Sequence, residues 1–139
     1  MCYFGDYTDS SSIERKSKKE LIVFKYGKIT PTGKFSSHYY KKLWVKGVLQ
    51  PQIDLRRHNH GGYKFEINAG YHAFTNLKKC MDVYCDILNI SYKDIMSQNL
   101  KSKTKICQFS IPAGTRYFKS NARKELVAER MKFIGEVYV

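Results

Sequence analysis

Short runs of apolar and aromatic residues, separated by turns that contain glycine or proline, predict a chain made mostly of β-strands. The clearest run, residues 21–26, joins Leu, Ile, Val, Phe and Tyr to one lysine and ends at Gly27, as a strand followed by a turn does. Residues 63–67 alternate between apolar and charged side chains, which is typical of a strand with one face exposed. Further strands are predicted at 43–49, 71–74, 106–111, 115–118 and about 130–139.

One segment has the period of a helix instead. Leu77, Met81, Tyr84 and Leu88 fall on one stripe, and Thr75 is of a residue type that caps helix N-termini. We therefore predict the main helix over about 76–88, with a shorter helical turn from Ser91 to about 96–98. Together these elements predict an α+β fold, in which a curved antiparallel sheet or partial barrel packs on one main helix.

Residues 5–20 are polar and have no apolar period, so we predict residues 1–20 to be a flexible or surface-lying arm. Residues 21–139 then form a single α+β domain, which the length of 139 residues allows. No apolar run approaches the roughly 20 residues of a membrane span, and the first residues lack the pattern of a signal peptide. These features predict a cytoplasmic protein without a membrane partner.

The net charge of the chain indicates what kind of partner to expect. The chain has 25 Lys+Arg against 12 Asp+Glu, a formal net charge of +13. The excess is spread evenly, with +7 on residues 1–74 and +6 on residues 75–139. Because such a domain attracts polyanions through steering and counterion release, we expect an anionic partner: a nucleic acid, a nucleotide or an acidic surface of a host protein. Charge alone does not choose among these, and the oligomeric state is not predicted.

Two segments interleave aromatic residues with cations, as in proteins that stack bases and hold phosphates. They are residues 39–44 (Tyr-Tyr-Lys-Lys-Leu-Trp) and 116–119 (Arg-Tyr-Phe-Lys). The predicted nucleic-acid contacts are Tyr40, Lys41, Lys42, Arg56, Arg57, Lys101, Lys103 and Lys105. The sequence has no helix-turn-helix pattern, no paired motifs of an RNA-recognition sheet and no glycine-rich phosphate loop.

The cysteines and histidines include zinc-ligand residue types but not zinc-site spacing. Cys80 and Cys85 both fall in the predicted helix, and His58 and His60 are two apart in a polar loop, which matches no paired short-loop site. We therefore predict no metal and no cofactor. The cysteines are interpreted as free, partly buried thiols, because disulfides are rare in unsecreted proteins.

A small-molecule pocket is a further possibility for residues 70–74 (Gly-Tyr-His-Ala-Phe), where His72 lies on a short strand beside a glycine. The predicted ligand-binding residues are Tyr63, His72, Arg116 and Tyr117. A histidine without a visible carboxylate or nucleophile partner is more often structural, so both interpretations of His72 remain open.

A small enzyme is the alternative from a different class. Removal of Met1 would leave Cys2 at the N-terminus, where its α-amine can act as base for its own thiol, as in N-terminal nucleophile hydrolases. Such hydrolases usually have larger, layered domains than 139 residues can build. Cys2 is the one catalytic candidate that the residues offer.

Residues 111–118 (Ile-Pro-Ala-Gly-Thr-Arg-Tyr-Phe) resemble a strand–turn–strand near the end of mono-ADP-ribosyltransferases. The resemblance implies a bend, shaped by Pro112 and Gly114, between paired strands. That family's Glu-x-Glu or Gln-x-Glu pair and its Ser-Thr-Ser strand are missing from this chain. An ADP-ribosyltransferase-like protein would therefore have an incomplete active site.

A broader resemblance covers most of the chain. The Met1-Cys2 start and residues 21–25, 70–74 and 111–118, in this order, are similar to a group of small proteins from gut bacteria and their phages whose activity is not established. The resemblance implies a phage or mobile-element accessory protein, such as an inhibitor of host defence, that acts in the host cytoplasm. The leading hypothesis is therefore a non-enzymatic protein that occludes or sequesters its anionic partner.

Overall fold

A computed structural model of the chain describes residues 3–37, 42–89, 91, 93 and 104–137. The helix α1 (Leu77–Leu88) and a short 3-10 turn (Ser10–Ser12) accompany the strands in this part of the chain. The strands are β1 (Tyr3–Asp6), β2 (Arg15–Lys16), β3 (Leu21–Ile29), β4 (Phe35–Ser37), β5 (Leu43–Trp44), β6 (Arg57–Asn59), β7 (Lys64–Ile67), β8 (Tyr71–Phe74), β9 (Thr104–Ile111), β10 (Arg116–Ser120), β11 (Glu125–Ala128) and β12 (Lys132–Glu136).

The strands form two antiparallel sheets. The smaller sheet has the order β1-β7-β6, and the larger sheet has the order β12-β9-β3-β8-β11-β10-β2, with β4 and β5 attached beside β3. The prediction of a strand-rich antiparallel fold with one main helix is confirmed. The larger sheet is open, because its two terminal strands β12 and β2 do not pair with each other; the predicted partial barrel is not confirmed.

Three clusters of buried side chains hold these layers together. The largest lies between β3, β4, β5, β8, β9 and β12 and includes Phe35, Trp44, Phe109 and Phe133. A second cluster packs α1 against β3 and β9, and a third joins the smaller sheet to β10 and β11. None of the helices in the described residues is both long enough and apolar enough to cross a membrane.

The segment expected to be a flexible or surface-lying arm is part of the fold from Tyr3 onward. Tyr3 is fully buried against Phe65 and Phe118, and its hydroxyl donates to the carbonyl of Ser11 at 2.8 Å. β1 pairs with β7, and β2 pairs with β10. The polar composition was misleading because serine hydroxyls can be buried when they bond to backbone groups.

Ser17 ties this N-terminal segment to the turn at 112–115. Its hydroxyl donates to the Pro112 carbonyl at 2.7 Å and accepts from the Thr115 amide at 3.0 Å. Its backbone amide donates to the Thr115 carbonyl, and its carbonyl accepts from the Gly114 amide. The turn that the transferase resemblance implied is present between β9 and β10, with Gly114 at a positive φ. The two strands do not pair with each other, however: β9 pairs with β12 and β3, whereas β10 pairs with β11 and β2. The turn instead surrounds one buried serine.

Replacing Ser17 by alanine is therefore expected to lower the free energy of unfolding by about 1–2 kcal/mol, because the buried Thr115 amide loses its hydroxyl acceptor. Urea denaturation followed by circular dichroism measures the change. Ser12→Ala is the matched control, since the Ser12 hydroxyl bonds only to the Asp9 carbonyl in an exposed position. Equal midpoints for the two variants would contradict the structural role of Ser17.

Helix α1 begins one residue later than predicted. Asn76 is the N-cap, and its side chain accepts from the Lys79 amide at 3.0 Å. The backbone of Thr75, the predicted cap, is instead bonded to the Lys124 carbonyl, so this residue continues the path of β8. Asn89 ends the helix in the left-handed conformation. The predicted turn over 91–98 falls almost entirely outside the described residues.

Two predicted strands are shorter or divided in the structure. Of residues 43–49 only Leu43–Trp44 form a strand, because Gly47 has a positive φ and the Val48 amide bonds back to the Val45 carbonyl. Of the last predicted strand, 130–139, the described residues 130–137 contain β12; it is preceded by β11, which sequence reasoning missed. Residues 57–59, interpreted as part of a polar loop, form the exposed strand β6.

Candidate ligand-binding pocket

The long strand β3 creates a fork in the larger sheet. Along one edge it pairs continuously with β9. Its other edge meets β8 at Phe24 and β4 only from Gly27 onward, so Lys25 and Tyr26 lie where the two neighbours separate. Gly27 permits the approach of β4, since a Cβ there would lie 2.3 Å from the Ser36 carbonyl oxygen.

A cavity of about 300 Å³ opens at this fork. Its walls come from β3, β4, β5 and β8, from Ile53 and from the turn at 68–70 that leads into β8. Gly70 shapes that turn with a φ of +126°, in the region that favours glycine. The described residues lining the cavity are Lys25, Tyr26, Ser37, Lys42, Trp44, Ile53, Asn68, Ala69, Gly70, Tyr71, His72, Ala73 and Phe74.

Lys25 is the most unusual of these side chains. Its ammonium nitrogen lies 5.1 Å from the centre of the Trp44 ring and 5.7 Å from that of Phe109, so aromatic faces surround it. Burial lowers the pKa of Lys25 to about 8, against the ordinary value of 10.5. Among the described residues, no carboxylate forms an ion pair with it.

Lys42 supplies a second cation to the same cavity from an exposed position just before β5. Its ammonium nitrogen lies 5.7 Å from the centre of the Tyr71 ring. Tyr71 is in turn held in place by its hydroxyl, which donates to the Pro51 carbonyl at 2.6 Å, and by an edge contact with Trp44. The hydrogen bond and the ring contact together position Tyr71 in the cavity wall.

His72 lines the cavity, as the pocket hypothesis predicted. Burial lowers its pKa to about 4, with the Lys25 charge adding to the effect and a hydrogen bond to the Ile67 carbonyl opposing it. The imidazole is therefore neutral at physiological pH, and its Nε2–H donates to that carbonyl at 3.0 Å. His72 gives the pocket shape and a polar edge rather than charge.

The other predicted ligand-binding residues do not line this cavity. Tyr63 is 69% exposed in the turn before β7. Arg116 bonds to Glu129 at 3.1 Å and pairs with Glu14 at 3.9 Å, while Tyr117 packs against the largest core cluster. Tyr63, Arg116 and Tyr117 therefore do not line the cavity that contains His72. In the larger sheet, β8 and β11 separate β3 from β10, which carries Arg116 and Tyr117.

The predicted nucleic-acid residues are spread over separate elements. The Arg57 guanidinium covers the faces of Phe65 and Phe118 and donates to the Ser12 carbonyl, which gives it a structural role. Arg56 is exposed beside it, and Lys105 lies on β9. The predicted residues outside the described part of the chain are Tyr40, Lys41, Lys101 and Lys103, together with the candidate nucleophile Cys2.

Within the described residues no group of three or more His, Cys, Asp or Glu side chains is arranged to hold a metal ion. Cys80, Cys85 and Cys107 are free thiols. Burial raises the pKa of both Cys80 and Cys107, the latter to about 12, so both remain protonated and behave as small apolar groups.

Sequence reasoning missed Lys25 and Trp44 as pocket residues. One signal for Lys25 was present: it follows Val23 by two positions, so it faces the same side of the strand as a core residue. Nothing in the sequence brings residues 25, 44 and 71 together, because their contact depends on the pairing of β3 with β4 and β8.

Comparison with protein-family models, with curated proteins and with solved structures finds no match to this chain. The function must therefore be inferred from the pocket itself.

Proposed function

We propose that this protein is a binding protein for a small anionic ligand with a planar ring, of the mononucleotide class, which it holds in the pocket at the β3 fork. The observation that carries the proposal is the presence of two lysines, Lys25 and Lys42, in an aromatic-walled cavity whose described lining contains no acidic residue. Of the three anionic partners that the charge of +13 predicts, a nucleotide fits this site best.

The two pocket lysines lack a counter-ion in the described part of the chain. A buried ammonium group is costly unless an anion accompanies it, and among the described residues neither lysine has a carboxylate partner. A phosphate entering the cavity would supply that anion and accept charge-assisted hydrogen bonds from both side chains. Lys25 is partly buried and Lys42 is exposed, so the phosphate would be held between the two lysines near the opening.

Aromatic side chains would hold the rest of the ligand. Tyr26, Trp44, Tyr71 and Phe74 provide flat surfaces, and stacking of a base on such a surface contributes about 1–3 kcal/mol. Polar groups of the kind that orient a ligand in an apolar site are present among the lining side chains, at positions 37 and 68. A cavity of about 300 Å³ accommodates one small molecule and excludes a duplex. With the resemblance to phage proteins, this favours sequestration of a nucleotide in a host cell.

Trp44 is the only tryptophan of the chain, so its fluorescence reports directly on the pocket. Titration with AMP, GMP, CMP and UMP at low salt is expected to change the Trp44 emission in a saturable manner for at least one of them. Lys42→Ala should weaken that binding about tenfold, the loss of about 1.4 kcal/mol of charge-assisted hydrogen bonding. Raised salt should weaken it as well, because the interaction is ionic.

Lys46→Ala is the matched control for Lys42, since it removes the same charge from the same exposed segment without touching the pocket. It is expected to leave the affinity unchanged. The proposal fails if no mononucleotide perturbs Trp44 at millimolar concentration. Binding of a single-stranded oligonucleotide without any mononucleotide binding would instead favour the nucleic-acid interpretation.

A further inference from the structure

Lys25 has the surroundings of a reactive amine. It extends from the middle of β3 into the cavity, and its nitrogen lies over the Trp44 and Phe109 rings. No described residue forms a salt bridge with it. An amine in an apolar pocket is a better nucleophile than a solvated one, since it loses less hydration on reaction and is more often unprotonated.

The protonation state supports this geometry. With a pKa of about 8, the amine is neutral in about one quarter of the molecules at pH 7.5, against about one in a thousand for an ordinary lysine. The cavity also reaches the surface, because Lys42 and Ser37 at its edge are not buried, so a carbonyl compound can enter.

We propose that Lys25 captures small aromatic aldehydes in the pocket by forming an imine with them. This activity uses the same cavity as nucleotide binding but does not depend on it, because the reacting group is a carbonyl and not a phosphate. The ring of the aldehyde would pack against Trp44 and Tyr71, and an anionic substituent would lie near Lys42.

The reaction needs no oxidant or reductant. The Lys25 nitrogen attacks the carbonyl carbon, a C–N bond forms as the C=O π bond breaks, and one proton passes from the nitrogen to the oxygen to give a carbinolamine. The hydroxyl group then takes up a second proton from solvent, the C–O bond breaks and one water molecule leaves. The nitrogen returns its remaining proton to solvent to give the neutral imine. The overall change is amine plus aldehyde to imine plus water, and it is reversible.

The test uses pyridoxal 5′-phosphate as probe, with sodium cyanoborohydride to reduce any imine to a stable secondary amine. Peptide mass spectrometry after short labelling of the native protein at pH 7.5 should place the adduct first on Lys25, at an initial rate at least about tenfold above that of exposed lysines such as Lys46. Unfolding in urea before labelling should abolish this preference. Labelling spread evenly over the lysines, or absent from Lys25, would overturn the proposal.

Two further labelling experiments test the Lys25 amine separately from the anion-binding site. Pyridoxal lacks the phosphate, so preferential labelling of Lys25 by pyridoxal supports imine capture even if nucleotides fail to bind. Lys25→Met, which keeps an unbranched apolar stem in the core, should remove the preferred adduct, while Lys46→Arg should retain it. Because the wild-type peptide map already locates the adduct, the result does not depend on either variant folding.

The pH dependence gives an independent readout. The titratable groups around Lys25 are Cys80 from α1, Cys107 opposite it on β9, His72 and Tyr71 from β8, Tyr26 beside it on β3 and Lys42 near β5. Cys80 and Cys107 stay protonated and His72 stays neutral near pH 8. The labelling rate of Lys25 should therefore rise through a midpoint near pH 8, and a midpoint near 10 would contradict the proposal.

Discussion

Replacing Phe109 by alanine is expected to lower the free energy of unfolding by about 3–5 kcal/mol, the usual cost of removing a fully buried aromatic ring. Phe109 is wholly inaccessible to solvent and contacts Phe35, Trp44 and Phe133 at centroid distances of 4.9, 5.1 and 5.3 Å. The substitution would remove a ring contact from each of these three side chains. Since domains of this size are stable by about 5–15 kcal/mol, this loss is a large share of the total stability, and the urea midpoint of the variant should fall well below that of the wild type.

Urea denaturation followed by far-ultraviolet circular dichroism measures this change without relying on Trp44, whose own surroundings are altered. Phe4→Ala is the matched control, because it deletes the same side chain from a residue that is 43% exposed. Phe4 contacts the Arg123 guanidinium, so its loss should cost no more than about 1 kcal/mol. Similar losses in the two variants would show that the cluster around Phe109 is not the main core.

Local patterns predicted the elements that carry their own signal. β8 and β7 were predicted to within one residue because a tight turn precedes each of them, and α1 was predicted because its apolar stripe has a helical period. Local patterns failed where tertiary contacts decide the structure. The N-terminal segment is ordered by pairing with β7 and β10. Its own sequence does not indicate which strands it pairs with, so it was predicted to be an arm.

The pocket also depends on tertiary contacts that local sequence patterns do not predict. His72 could be proposed from its own neighbourhood, because glycine and aromatic residues flank it. The contact of Arg116 with Glu129 could not be predicted from sequence, because Glu129 is 13 residues away, across the paired strands β10 and β11. The charge excess is nearly uniform along the sequence, so it does not indicate that Lys25 lies in an apolar cavity. Composition predicts the kind of ligand, whereas strand pairing decides where it binds.

Among the described residues, the Glu129 carboxylate accepts the largest set of hydrogen bonds. Its side chain is only 5% exposed and accepts from the Arg116 amide at 3.0 Å, the Arg116 Nε at 3.1 Å and the Gln52 Nε2 at 3.1 Å. Burial alone would raise its pKa, but the hydrogen bonds and charge of Arg116 outweigh burial and hold the pKa below the ordinary value of 4.5. Arg116 is therefore a structural residue of the β10–β11 region.

Glu129→Gln is expected to destabilise the protein by about 2 kcal/mol at pH 7, because a neutral amide cannot accept all three hydrogen bonds and leaves Arg116 without its close counter-charge. Glu14→Gln is the control: its carboxylate approaches the same arginine at 3.9 Å but is 46% exposed, so its loss should cost less than about 1 kcal/mol.

A depressed pKa in the folded state means that Glu129 contributes its full stability above its pKa in the unfolded chain. That contribution is lost as the pH falls through the lower pKa of the folded state. The difference in unfolding free energy between wild type and Glu129→Gln should therefore be constant from neutral pH down to about pH 5 and shrink below it. A difference that stays constant into strong acid, measured by urea denaturation at each pH, would mean that the bonds to Glu129 do not depend on its charge.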